Sequence, residues 1–137
     1  MDPVFCKITA EILASLRRVC EATPDRECCG LLAGADSVIT RIFAAGNAAS
    51  DPDRNYEIAP QELFRLMRDI RAAKLELLGI YHSHPNGNNE PSARDIELAY
   101  YPDTTFFILS PLADASAPVR AFSICDGRAM ELQLQIV

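Results

Sequence analysis

Leu75-Glu76-Leu77-Leu78-Gly79-Ile80-Tyr81-His82-Ser83 is apolar almost throughout and runs into His84-Pro85. A run of this length broken by a single early charge predicts a strand over 75–83 that is covered on both faces, and so sits centrally in a sheet. His82 and His84 fall at its end, two residues apart, where the pleat turns both rings to the same side.

Downstream, Pro85-Asn86-Gly87-Asn88-Asn89-Glu90-Pro91 carries turn residues and reads as a loop, followed by a short helix over 92–99. Strands are expected over 104–109, 119–125 and 129–137, the last two joined by an Asp126-Gly127 hairpin turn. Upstream, Thr9 is placed to cap a helix over 10–22, in which Ile12, Leu13, Leu16, Val19 and Cys20 recur at helical spacing before Pro24. Residues 28–33 and 38–45 read as neighbouring strands joined by a turn around Gly34-Ala35-Asp36, and 47–55 as a loop. A short strand is expected at 56–58, then a second helix over 60–73 that Pro60 begins, with Leu63, Phe64, Met67 and Ile70 on one face. Helices and strands mix without strict alternation. The expected class is therefore α+β, a curved, mixed and mostly antiparallel sheet flanked by helices.

At 137 residues the chain fits one domain, expected to span 1–137, and is large enough to bury a core without covalent staples. Thirteen basic against nineteen acidic side chains give a net charge of -6, which argues against nucleic acid as the main partner. No apolar stretch approaches the roughly 20 residues that span a bilayer, and Met1-Asp2-Pro3-Val4-Phe5 lacks the layout of a signal peptide, so a cytoplasmic location is expected. Five cysteines, odd in number and without a C-x-x-C spacing, do not form a disulfide or zinc-ribbon pattern, and read mainly as small core residues.

The chemistry concentrates at the end of the central run. His82 and His84 are the only histidines; seven residues separate His84 from Ser92, and two more separate Ser92 from Asp95. Two imidazoles and a carboxylate can hold one metal ion, and three protein ligands leave the fourth tetrahedral position open, as in catalytic rather than structural zinc sites. Plainer readings exist: two histidines sharing a solvated face, and Ser92-Ala93-Arg94-Asp95 as a capping box, a duty that competes with Asp95 for metal ligation. A hydrolase acting on amides also needs a group to carry the proton to the leaving amine. Glu27, at the entrance to Cys28-Cys29-Gly30-Leu31-Leu32-Ala33-Gly34, is a candidate, although a charge at a strand edge is ordinarily just solvated.

With these residues the chain resembles the JAMM metalloprotease family, the catalytically competent MPN domains. The family's Glu, then His-x-His, seven residues, Ser, two residues and Asp are matched by Glu27, His82, His84, Ser92 and Asp95. Glu27-Cys28-Cys29-Gly30-Leu31-Leu32-Ala33-Gly34 is similar to a block of its compact prokaryotic members, and Tyr56-Glu57-Ile58-Ala59-Pro60 to the step between the blocks. The resemblance implies a single MPN domain (JAB-type, cytidine-deaminase-like), one Zn2+ held by His82, His84 and Asp95, Glu27 as general acid/base, and Ser92 as an oxyanion stabiliser. It further implies a peptidase or isopeptidase acting after the C-terminal Gly-Gly of a ubiquitin-like or sulfur-carrier protein. A small-peptide or cell-wall-peptide zinc hydrolase, and a zinc-bearing module that binds such tails without cutting, are the alternatives. A cysteine hydrolase using Cys28 or Cys29 with His82 is a more distant one. A homodimer is also conceivable through the apolar last strand, 132–137.

Overall fold

The computed structural model describes residues 4–99, 101 and 103–137. Seven strands, β1 (Phe5–Ile8), β2 (Cys29–Ala35), β3 (Val38–Ala45), β4 (Glu76–Ser83), β5 (Thr105–Leu109), β6 (Val119–Cys125) and β7 (Arg128–Ile136), alternate irregularly with α1 (Ala10–Ala22), α2 (Pro60–Ala72) and α3 (Ala93–Glu97). They form one sheet in the order β1-β3-β2-β4-β5-β6-β7, which closes into a barrel where β1 meets β7. Four neighbour pairs are antiparallel and three, β1 with β3, β1 with β7 and β4 with β5, are parallel. The α+β class and the mixed, mostly antiparallel sheet stand as expected, with β4 central between β2 and β5.

Closure is the part the sequence did not announce. Four-residue β1 is too short to register as a periodic segment, yet it fills the gap between β3 and β7. As a result β7 is paired with β6 over residues 128–132 and with β1 over residues 133–136.

Other departures are local. The β2–β3 turn lies at Asp36-Ser37, both at positive φ (53° and 63°), and Gly34 sits instead at a bulge where a Cβ would fall 1.7 Å from the Val38 carbonyl oxygen. Residues 56–58 are not a strand: the Glu57 amide donates to the Asn47 side chain and its carbonyl accepts from Ala48, so these groups close a local loop rather than join the sheet. On α2, Leu66 and Ile70 are buried while Phe64 is 71% exposed. A step of about 100° per residue carries Phe64 off the stripe formed by Leu63, Leu66, Met67 and Ile70.

Alternation along β4 and β5 sorts the core into two halves. Tyr81, Phe107 and Leu109 pack with Leu32, Ile39 and the Ile12, Leu16 and Cys20 stripe of α1. Ile80, Phe106 and Ile108 pack with Leu31, Phe122 and the buried face of α2. Cys6, Cys20 and Cys29 are core residues, Cys125 is exposed, and all five thiols are free. Among the described residues no helix is long and apolar enough to cross a membrane.

Candidate metal centre

The register of two antiparallel strands assembles the site. Cys29, at the start of β2, pairs with His82 near the end of β4, so the residues just before β2 lie beside those just after β4. Ser83 fastens this junction: its amide donates to the Cys28 carbonyl at 3.1 Å and its hydroxyl accepts from the Cys28 amide at 2.8 Å. Glu27 is thereby brought next to the histidines. Far from being solvated, it is 5% exposed and lines a cavity of about 620 Å³ shared with His84, Ser92, Arg94, Asp95 and Tyr56.

His82, His84 and Asp95 converge. His82 Nε2 lies 3.1 Å from His84 Nε2 and 3.1 Å from Asp95 Oδ1, and His84 Nε2 lies 3.1 Å from Asp95 Oδ2. Donors held at 2.0–2.1 Å around a tetrahedral ion stand about 3.3 Å from one another, and each of these contacts is close to that size, with one Asp95 oxygen facing each ring. The hydrogen-bond chemistry leads to the same place. His84 Nδ1 contacts the Asn88 carbonyl at 2.6 Å, and a carbonyl only accepts, so Nδ1 carries the hydrogen and neutral His84 aims an Nε2 lone pair at an Asp95 oxygen that also only accepts. A proton or a cation must lie between them. The three side chains can together hold a metal ion, and nitrogen and carboxylate donors in this number suit zinc.

The charges follow from burial and contact. Burial opposes ionisation of Asp95, but hydrogen bonds from His82 and His84 hold its carboxyl well below the usual range. Fully enclosed His82 is pushed down by burial. Burial also works against a charged His84, yet its contacts with Asp95 and the Asn88 carbonyl raise it. For Glu27 burial dominates, partly offset by His84, and its carboxyl is pushed up to about 7. A carboxyl near 7 exchanges protons readily at neutral pH.

Ser92 and Asp95 form the capping box of α3: the Asp95 amide donates to Ser92 Oγ at 3.1 Å and the Ser92 amide donates to Asp95 Oδ2 at 2.9 Å. Capping competes less with membership of the histidine cluster than the sequence alone suggested. One carboxylate serves both, because each of its oxygens has two lone pairs and the box uses one of the four. Ser92 Oγ accepts in the box and so keeps its own hydrogen free.

Several supporting residues escaped the sequence reading. The Asn47 amide donates to the carbonyls of Glu27, Pro52 and Asn55, and its oxygen accepts from Ala49 and Glu57, tying the 47–57 loop to the backbone of Glu27. Asn89 fixes the 85–91 loop by donating to the Ala117 and Ile108 carbonyls. Tyr56 stacks on His82, with ring centroids 4.5 Å apart and planes 19° from parallel. Stacking supports a ring whose Nδ1 has no hydrogen-bond partner among the described residues. Nothing in the spacing of one sequence distinguishes these asparagines from ordinary loop residues. Cys28 has a thiol lowered to about 7, foremost by a hydrogen bond with Cys20, and Cys29 is raised to about 12 by burial. Among the described residues neither has a histidine hydrogen-bond partner, so the cysteine hydrolase alternative lacks its base.

A family described as prokaryotic homologs of the JAB domain matches residues 9–125. The desampylase of Haloferax volcanii is 35% identical over 102 residues, 73% of each chain. The CysO-cysteine peptidase of Mycobacterium tuberculosis is 30% identical over 116 residues, 83% of this chain and 78% of that one. A protein of Desulfitobacterium hafniense, solved in solution, superposes with a TM-score of 0.83 at 25% identity, covering 98% of this chain and 93% of its own.

Proposed function

Because this chain belongs to the prokaryotic JAB-domain family, we propose that it is a zinc-dependent peptidase or isopeptidase that hydrolyses the bond after the C-terminal Gly-Gly of a ubiquitin-like or sulfur-carrier protein. The observation that carries the reading is the joining of two features: the cluster of His82, His84 and Asp95 in mutual contact at 3.1 Å, and the buried carboxyl of Glu27, which shares a cavity with His84 and Asp95. The similarity to a desampylase and to a CysO-cysteine peptidase supports the substrate class.

His82, His84 and Asp95 would hold the zinc, which when bound supplies a Lewis acid and lowers the pKa of adjacent water. Glu27, ionised, takes a proton from the attacking water, and its raised affinity lets it retain that proton until it passes it to the departing amine. The free hydrogen of Ser92 is donated to the oxyanion that develops on the former carbonyl oxygen. Tyr56, stacked on His82, and Asn47, holding the Glu27 carbonyl, keep base and ligands in register. An extended tail is a fitting partner, since backbone recognition of a glycine pair needs a narrow approach rather than side-chain pockets.

The test is to load the protein with zinc and incubate it with a sulfur-carrier protein bearing a residue beyond its Gly-Gly, then weigh the product. Loss of that residue is expected. An unchanged mass with one zinc per chain refutes the activity, whereas equal cleavage of short peptides without the carrier fold would favour a small-peptide hydrolase.

A further inference from the structure

Arg94 stands out among the charged residues around the cavity. It lines the same cavity as Glu27, His84, Ser92 and Asp95, and also the wall of the adjoining apolar pocket beside His82. The other arginine on the main cavity, Arg54, faces Asp53 at 4.0 Å. Arg94, by contrast, has no ion pair and no side-chain hydrogen bond among the described residues. Its charge nevertheless reaches the reacting carboxyl, since it favours the ionised form of Glu27. The rest of the lining carries the acids Glu27, Asp53 and Asp95, an environment that repels a substrate anion unless a cation is supplied for it.

A planar guanidinium with all its donors unused matches a carboxylate, which it can grip through two parallel hydrogen bonds. Resting on the peptidase reading above, we propose that Arg94 binds the free α-carboxylate of the residue being released. The preferred substrate is then a carrier extended past Gly-Gly by one amino acid in ordinary peptide linkage, with its carboxylate one residue beyond the scissile bond. A lysine-linked protein conjugate presents no carboxylate there. The chain is in this sense a carboxypeptidase of modified carrier tails, and Arg94 is a specificity residue outside the chemical step.

The experiment uses the zinc-loaded protein and a ubiquitin-fold carrier ending in Gly-Gly-Ala, prepared as the free acid and as the C-terminal carboxamide. The wild type is expected to favour the acid in kcat/KM by about tenfold or more, mostly through KM, in line with a charge-assisted guanidinium–carboxylate contact. In Arg94→Gln the ratio of acid to amide should fall to about one, and Arg94→Lys should restore part of it. Equal turnover of acid and amide by the wild type, or an Arg94→Gln variant that slows both by the same factor, overturns the carboxylate assignment while leaving the peptidase reading standing. No turnover of either form by zinc-loaded wild type sinks the peptidase reading and this inference with it.

Discussion

Replacing Glu27 by glutamine should stabilise the metal-free fold while removing the activity, and the size of the gain follows from burial. In the folded chain the Glu27 carboxyl is pushed from its ordinary value of 4.5 to about 7, chiefly because it is enclosed, with only partial relief from His84 and Arg94. Each tenfold difference in proton affinity is worth 1.36 kcal/mol, so the ionised form costs the fold about 3 kcal/mol. Because the folded state holds the proton more tightly, this cost is absent below about pH 4.5, develops as pH rises toward 7, and is complete by about pH 8. Glutamine keeps the shape and carries no charge. Melting the chelated proteins at pH 4.5 and pH 8 should therefore show nearly equal Tm values at the lower pH and a rise of roughly 10 °C for Glu27→Gln at the higher. With zinc loaded the gain should shrink, since a cation nearby favours the carboxylate of the wild type. A Glu27→Gln variant no more stable than wild type at pH 8 without metal would mean that Glu27 is not desolvated, and the argument for its proton-carrying role would fail.

With zinc restored, Glu27→Gln should keep its metal and lose roughly 10²- to 10⁴-fold in rate, measured by single-turnover cleavage beside metal analysis. His82→Ala or Asp95→Ala should instead purify with little zinc, read by elemental analysis. Ser92→Ala is expected to do two things at once: cost about 1 kcal/mol in denaturant unfolding through the lost cap, and slow turnover about 10²- to 10³-fold. Only the first effect would confine Ser92 to capping. Asn47→Ala removes a side chain bonded to five backbone groups, and should destabilise by about 2–4 kcal/mol. It should also lower kcat at unchanged zinc content, because the 47–57 loop no longer fixes Glu27. Since a metal ion must replace the proton that His84 shares with Asp95, zinc binding should release protons and weaken as pH falls below the raised pKa of His84, a point isothermal titration in buffers of different ionisation enthalpy would check.

The sequence by itself determined the pieces whose signals are local. The apolar run ending in His82-Ser83-His84, the Thr9 cap, Pro60 at the head of α2 and the Asp126-Gly127 turn all depend on residues within a few positions of one another, so they were legible without a fold. The spacing from His82 to Asp95 likewise drew the converging trio into one short window. What only the tertiary structure decided was long-range. The juxtaposition of Glu27 with His82 rests on the β2–β4 register across more than fifty residues, and its burial depends on a loop tied down by Asn47. Barrel closure hinges on β1 finding β3 and β7, a pairing too short to leave a periodic trace. The double use of Asp95 as cap and cluster member depends on where its individual oxygens point. Chain order records which side chains are available, but burial and lone-pair direction arise only when distant segments pack, and those two quantities set the proton affinity and the ligand geometry on which the chemistry rests.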